Sequence, residues 1–303
     1  MIPLVCPHCR LPLGTAPDAT TGVLACPNGC VFPVRDGIPR FVGEETYAAP
    51  FGFQWTRFAR TQLDSATGRD ESAAAFAAKT GLDPAALAGR RVLDVGCGMG
   101  RFMEVCAAAG AEVVGVDMTR AVEAATTNLA GRPNVTVLQA DLFHLPFPDA
   151  SFDVVYSLGV LHHTADTRRA FLALPRLLRP GGTLAVWVYS RHWRQRLPHL
   201  LSDLYRRWTT RLPPDRLLAL CRLAAPLGRL HRIPPVGWIT YGLLPVSTHP
   251  DPTWRVLDTF DWYAPRFQWR HTYAEVAGWF REAGLEAVRP LPVPVAVAGR
   301  RPA

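Results

Sequence analysis

The sequence predicts an α/β fold built on a parallel, doubly wound sheet, and three observations predict it. An apolar strand over Arg91–Gly96 carries Asp94 near its end and turns through Gly96, Gly98 and Gly100 straight into a helical pattern. Strand-like and helix-like runs then alternate as far as Tyr189, the signature of a parallel sheet with helical crossovers. Acids stand at three successive strand ends, Asp94, Asp117 and Asp141. An open α/β sheet holds a nucleotide-like ligand at the carboxyl end of its first strand, where glycines let the backbone approach closely.

In chain order, residues 1–43 come first. Cys6-Pro-His-Cys9 and Cys26-Pro-Asn-Gly-Cys30 form CxxC and CxxxC pairs separated by 16 residues. In a chain without an export signal such pairs read as a structural Zn²⁺ site rather than disulfides. Four thiolates close a tetrahedron, and a module this small cannot fold on a core of its own. His8, inside the first knuckle, is an alternative ligand. Val31–Phe41 alternates apolar and polar residues around Asp36-Gly37, as a ribbon hairpin does. Cys97, Cys106 and Cys221 have no partner spacing and read as packing residues.

Residues 44–88 read as an aromatic connector (Phe51, Phe53, Gln54, Trp55, Phe58) and an Ala-rich helical cap. The α/β unit occupies 89–190, with further strands expected at Glu112–Asp117, Asn134–Asp141, Phe152–Ser157 and Thr183–Tyr189. Residues 191–270 are an insertion that this fold does not need, and long insertions commonly form lids or binding surfaces. The unit resumes over 271–303 with a helix announced by the capping box Thr272-x-x-Glu275 and stopped by Gly284.

At 303 residues, 49% hydrophobic and 19% charged, the chain is a folded protein with no apolar run of membrane-span length. MIPLVCPHC lacks a charged n-region and a cleavable apolar core, so no signal peptide and a cytoplasmic location are expected. The net charge of +8 is local: residues 190–232 hold ten arginines and two aspartates. Such a stretch suits an acidic ligand, a nucleic acid or a membrane surface, or is simply a solvated helix face. Lys79, the one lysine among 33 basic residues, reads as codon bias.

Asp117 follows Asp94 by 23 residues, a position suited to a ribose diol, which NAD would also satisfy. Two features point away from NAD. The glycines are spaced GxGxG rather than GxGxxG, and Asp141 adds an acid suited to an exocyclic adenine amine.

Here the chain resembles the class I, type 11-like S-adenosylmethionine-dependent methyltransferases over about residues 88–190 and again over 272–300. VLDVGCGMG, Asp117, QADLFHLPFPDASFDVVYS, the LGVLHH turn and LRPGGTLAV carry the resemblance. It implies a Rossmann-like seven-stranded sheet whose last strands, Leu285–Arg289 and Val293–Gly299, end antiparallel, with Pro292 and Pro294 at an edge or hairpin. It also implies that Gly96 and Gly98 pack on the methionyl part of S-adenosylmethionine while Asp94 orders their loop. Asp117 and Met118 then take the ribose, Asp141 and Leu142 the adenine, and Ser157 and Leu158 the floor near the sulfonium. The cysteine module resembles zinc ribbons fused to, or partnered with, some methyltransferases, including certain large-subunit rRNA guanine methyltransferases.

Methyl transfer from a sulfonium is an in-line displacement, and a protic acceptor needs a base. His162 and His163 follow strand four and titrate in the useful range. Tyr189, at the end of strand five, is a further candidate, and Asp258, Asp261 and Tyr263 are unplaced ones. Gln54 and Trp55 either fold over the cofactor or pack on the ribbon. In the insertion Leu197, Leu200, Leu201, Leu204, Tyr205 and Trp208 recur at helical spacing, with Arg194, Arg206, Arg207 and Arg211 among them. Core packing is the ordinary reason for such a stripe.

Eight of nine tryptophans lie in Trp187–Trp279, so the insertion is expected to enclose a partly apolar, anionic acceptor. The expected function is methylation of O or N on a small molecule: a natural-product, sugar-nucleotide or lipid-linked intermediate. The alternatives are RNA methylation, with ribbon and arginines as the grip, and non-methylating use of the sulfonium. Against RNA, residues 1–34 contain only Arg10, and no Asn-Pro-Pro-Tyr-type motif follows strand four.

Overall fold

A computed structural model describes residues 2–14, 21–43, 48–192 and 196–303. Two sheets organise them. The first is small and antiparallel, in the order β1 (Thr21–Ala25), β2 (Val31–Arg35), β3 (Ile38–Pro39). The expected hairpin is its β2–β3 pair, turning at Asp36 and Gly37, both with positive φ. The four thiols of Cys6, Cys9, Cys26 and Cys30 converge beneath it, every sulfur within 4.8 Å of the others. His8 is outside this group; its exposed ring stacks on Phe32, which removes it as a ligand.

The second sheet has seven strands: β4 (Arg91–Val95), β5 (Glu112–Asp117), β6 (Val135–Gln139), β7 (Phe152–Leu158), β8 (Leu178–Trp187), β9 (Glu286–Pro290) and β10 (Ala296–Arg300). Their order is β6-β5-β4-β7-β8-β10-β9, parallel from β6 to β8, with β10 antiparallel to both neighbours. The chain leaves β6 on one side of β4 and returns as β7 on the other, so the strand order reverses beside β4. The carboxyl ends at that reversal are where such sheets bind ligands.

The strands are apolar on both faces because both are covered. Leu93 and Val95 of β4 join Phe171 and Phe280, which lie on α6 (Thr167–Leu172) and α12 (Tyr273–Glu282). Val92, one residue away and so on the opposite face, joins Phe76, Phe102 and Val122 of α3 (Glu71–Thr80), α4 (Arg101–Ala108) and α5 (Ala121–Asn128).

β8 starts five residues before the expected Thr183. Its register against β7 slips between Phe152–Leu178 and Val154–Thr183, and the slipped segment, Arg-Pro-Gly-Gly, hides the strand start from a pattern reading. The last two strands lie close to where they were expected, with Pro292 and Pro294 in the connection between them.

The cysteine module docks on the β6 edge of the large sheet. Phe41 N–H donates to Gln139 O at 2.7 Å, and Val5 N–H to Pro146 O at 3.0 Å. Arg10 donates to the carbonyls of Leu145 and Phe147.

Ahead of the large sheet, α1 (Ala49–Arg57) and α2 (Asp64–Thr67) precede α3. α1 packs against α5 rather than on the cysteine module. Between β8 and α12 lie five helices: α7 (Arg196–Thr209), α8 (Pro214–Ala224), α9 (Leu227–Leu230), α10 (Val236–Leu243) and α11 (Pro252–Tyr263). Leu217, Leu218, Leu257 and Phe260 hold α8 to α11.

The apolar stripe of α7 is core only in part: Tyr205 packs on the α8–α11 cluster and Leu201 is half-buried. Leu197, Leu200, Leu204 and Trp208 are exposed, whereas Ser202, Arg206 and Thr209 are buried. The inward face is polar because it serves irregular backbone: Arg206 donates to Trp262 O and Pro265 O, and Thr209 to Tyr263 O. Arg194 falls outside the described residues. Among the described residues no helix is long and apolar enough to cross a membrane.

The capping box of α12 is complete: Thr272 Oγ1 accepts from Glu275 N–H, and Glu275 Oε2 accepts from Thr272 N–H at 2.7 Å. Thr272→Ala should lower unfolding free energy by about 1 kcal/mol in denaturant titration, the typical worth of an N-cap.

Candidate active site

A cavity of about 590 Å³ opens at the carboxyl ends of β4, β5, β7 and β8, within the size range of small-molecule sites. Its floor is the glycine turn. Gly96, Gly98 and Gly100 have φ of +86°, +52° and +90°, which L-residues avoid. A Cβ would also collide with protein: at Gly96 it would lie 2.4 Å from Val160 Cγ2, and at Gly98 3.1 Å from Trp55 Nε1. The glycines are therefore required by the packing of Val160 and Trp55 as well as by any ligand.

The turn is held from β5. Gly96 N–H donates to Val116 O at 2.7 Å, and Gly98 N–H to Asp117 Oδ2 at 3.0 Å. Thr119 donates to Asp117 Oδ1 twice, through its amide and its hydroxyl. Three of roughly four lone-pair sites on Asp117 are thus engaged, leaving one toward the cavity. Burial raises the Asp117 pKa, and these donors oppose the rise.

The expected site residues divide. Gly96, Gly98, Asp117, Met118, Leu142, Leu158, His163 and Tyr189 line the cavity; Asp94, Asp141, Ser157 and His162 do not. Asp94 is buried, accepts from Tyr156 Oη at 3.1 Å, and is pushed up to about 8 by burial. It stands under the turn without bonding to it. Ser157 donates to Val95 O at 2.8 Å. Asp141 caps a short 3₁₀ turn by accepting from Phe143 N–H, with its other oxygen 3.4 Å from His144 Nδ1.

The two histidines differ. His163 Nδ1 lies 2.9 Å from Phe267 O, and a carbonyl only accepts, so Nδ1 carries the proton. Its Nε2 is buried without a partner, and burial lowers its pKa, so the ring is neutral with a free lone pair. His162 is fully buried behind it against Tyr189, with both ring nitrogens unpartnered. Tyr189 donates to Asp261 Oδ2 at 2.7 Å, and burial, then Asp261, raises its pKa, so it is not a base.

Gln54 and Trp55 lie over the cavity. Gln54 Nε2 donates to Asp261 Oδ1 at 3.1 Å, leaving its buried Oε1 unpartnered. Asp258 and Asp261 are in the wall, while Tyr263 turns away to donate to Pro245 O.

Sequence reasoning missed Lys79. Its ammonium sits 3.6 Å over the Trp187 ring, in the cavity wall. Burial, then the Arg101 charge, lowers its pKa to about 7. Asp258, opposite in sign, is raised by burial to about 7. The available signal was a lone lysine in a chain that otherwise uses arginine throughout.

A family model described as a methyltransferase domain matches residues 93–186. The demethylmenaquinone methyltransferase of Clavibacter sepedonicus is 36% identical over 35% of this chain and 44% of its own length. The 27-O-demethylrifamycin SV methyltransferase of Amycolatopsis mediterranei is 38% identical over 33% and 38% respectively. The chain spans about half or less of the length of these curated relatives. A solved S-adenosylmethionine-dependent methyltransferase from Aquifex aeolicus superposes with a TM-score of 0.41 at 15% identity, covering 75% of this chain and 91% of the other.

Lys79 gives a pH test. Its folded pKa, about 7, lies below the ordinary lysine value of 10.5, so between them the unfolded chain binds more protons and stability rises with pH. Lys79→Met should therefore melt above the parent at pH 7, and the gap should close as pH approaches 10, read by thermal denaturation. Over residues 93–186 the chain is similar to the family described as a methyltransferase domain.

Proposed function

We propose that the chain methylates O or N of a small, partly apolar and anionic acceptor, a natural-product, sugar-nucleotide or lipid-linked intermediate, with S-adenosylmethionine as donor. The observation that carries the reading is one cavity whose wall holds both the β4 glycine turn tied to Asp117 and His163, whose buried Nε2 has no partner. The names of two relatives support a small-molecule acceptor, demethylmenaquinone in one and 27-O-demethylrifamycin SV in the other.

S-adenosylmethionine supplies an electrophilic methyl on a sulfonium. Around it, Gly96 and Gly98 would flank the methionyl part, and the remaining lone pair of Asp117, with Met118 alongside, the ribose. Leu142 would pack on the adenine, and Asp141 would reach the amine by releasing His144. Leu158 forms the floor, with Asp94 and Ser157 supporting the turn from below. On the acceptor side His163 Nε2 removes the proton, Gln54 Oε1 accepts a second hydrogen bond, and Trp187, Tyr189 and Trp254 give an apolar wall. Lys79 and Arg101 in the same wall favour negative charge on the acceptor. His162 positions Tyr189 and His163 rather than touching the acceptor.

The division of labour follows: 1–43 a zinc ribbon, 44–88 a cap over the donor, 89–190 with 271–303 the catalytic unit, and 191–270 the acceptor-binding insertion. A structural Zn²⁺ fits the four thiols. Tetrahedral thiolates about 2.3 Å from zinc stand about 3.8 Å apart, and the amides of Leu11, Asn28 and Cys30 already point at the sulfurs of Cys9 and Cys26. The RNA reading loses support at the ribbon, since Arg10 is engaged with the large domain.

Three measurements test this. Asp117→Ala should weaken S-adenosylmethionine binding by about tenfold to a hundredfold in calorimetry, the worth of a charge-assisted hydrogen bond; unchanged affinity refutes the site. His163→Gln should cut kcat by about 10²–10⁴ and remove the acid limb of its pH profile, which in the parent lies below the ordinary histidine range because burial lowers the pKa of His163. His162→Gln should keep that limb. Metal analysis should find about one zinc per chain, lost when Cys26 is changed to serine.

A further inference from the structure

The outward face of the helices between β8 and α12 is apolar where a free surface is ordinarily polar. On α7, Leu200 is 66% exposed, and Leu197, Leu204 and Trp208 follow the same side at three- and four-residue spacing. On α10, Trp238 is 77% exposed, with Ile239 and Leu243 beside it. The two helices touch, and Tyr205 Oη of α7 donates to Leu243 O at the end of α10. Leu223 of α8, 78% exposed, extends the apolar surface. Four residues of the α7 stripe, Leu197, Leu200, Leu204 and Trp208, stay in solvent while Ser202, Arg206 and Thr209 are buried. Contiguous apolar surface of this kind marks an interaction site.

Arg207 lies on α7, Arg216 and Arg222 on α8, Arg229 on α9, and Arg211 and Arg232 in the connections, all exposed and none in an ion pair among the described residues. Exposed acids are few in this segment: Asp215, and Asp203 already paired with Arg270. Exposed apolar bulk and unpaired arginines in one segment match the boundary of a bilayer with anionic headgroups, where rings and leucines enter the acyl region and guanidiniums meet phosphates. A second copy of the chain fits worse, because a two-fold contact would bring the arginine rims together. Nucleic acid fits worse too, since exposed leucines and isoleucine offer bases nothing to stack on.

We infer that α7, α8 and α10 form a peripheral docking surface for an anionic lipid bilayer. The inner sides of α7 and α10 line the cavity through Pro198, His199, Ser202 and Tyr241. Docking therefore sets the acceptor side of the site against the membrane, so the acceptor is an amphiphile drawn from the bilayer. That last step rests on the methyl-transfer reading; the docking surface does not.

The test is co-sedimentation of the full chain with phosphatidylcholine vesicles, with and without about 30% phosphatidylglycerol. Anionic vesicles should bind at least about tenfold tighter than neutral ones, with binding weakened by added salt. Tryptophan emission should shift to the blue as Trp208 and Trp238 leave water. Leu200→Glu combined with Trp238→Glu should lose at least about tenfold in vesicle affinity while keeping S-adenosylmethionine affinity, which shows the variant is folded. Arg222→Gln with Arg229→Gln should weaken only the anionic component.

Failure of the parent to sediment with either vesicle overturns the inference. So does undiminished binding by the double glutamate variant, or a dimer in solution that this variant dissociates. Loss of S-adenosylmethionine binding in Asp117→Ala bears only on the catalytic reading, so the two failures remain separate.

Discussion

The hydrogen bond from Gly98 N–H to Asp117 Oδ2, 3.0 Å long, ties the turn after β4 to the end of β5, and the rest of the site is arranged around it. A turn of three positive-φ glycines would be loose alone, because glycine gives up more backbone freedom on folding than any other residue. Here it is clamped from three sides: by Asp117 and Val116 O beneath, by Val160 against Gly96, and by Trp55 against Gly98. Thr119 in turn fixes the carboxylate. The geometry facing the cavity is therefore set before any ligand arrives.

Over this floor the chain builds a roof from parts distant in sequence. Gln54 of α1 donates to Asp261 of α11, which also accepts from Tyr189 at the end of the sheet. One carboxylate thus joins the segment before the sheet, the sheet itself and the helices between β8 and α12. The roof leaves buried polar atoms, His163 Nε2 and Gln54 Oε1, without partners. A buried unpaired acceptor is costly in a folded protein and is retained where a ligand completes it. Lys79, stacked on Trp187, adds a half-buried cation with Asp258 and Asp261 as its nearby opposite charges.

α7 shows how function distorts an ordinary rule. Amphipathic helices bury their apolar face, and this one buries Ser202, Arg206 and Thr209. Arg206 supplies donors to two carbonyls and to Gln268 in the irregular stretch after α11. That stretch would otherwise bury its backbone oxygens unpaired. The leucines are thereby sent outward, beside the mouth of the cavity.

Period and turn chemistry made much of the fold legible. β4 to β7, the Asp36-Gly37 hairpin and the capping box of α12 stand close to where the pattern put them, because each is decided by neighbouring residues; the antiparallel final strand was expected from the family resemblance alone. The start of β8 was obscured because Pro180 and Gly181 break the pattern while the strand pairs across the bulge. Of the residues expected at the site, Gly96, Gly98, Asp117, Met118, Leu142, Leu158, His163 and Tyr189 line the cavity. Asp94, Asp141, Ser157 and His162 belong to the same motifs yet face away from the cavity. Spacing gives a position along a strand or turn, whereas neighbours decide what each side chain bonds.

The sequence by itself determined the sheet, the glycine turn and the pairing of four cysteines, since these follow from local conformational preference and periodicity. Only the tertiary structure decided that Lys79 enters the cavity, that Asp261 joins Gln54 to Tyr189, and that most of the α7 stripe faces solvent. Each of these depends on contacts between residues far apart in the chain, or on which of two helix faces finds partners, and neither is written in a local pattern.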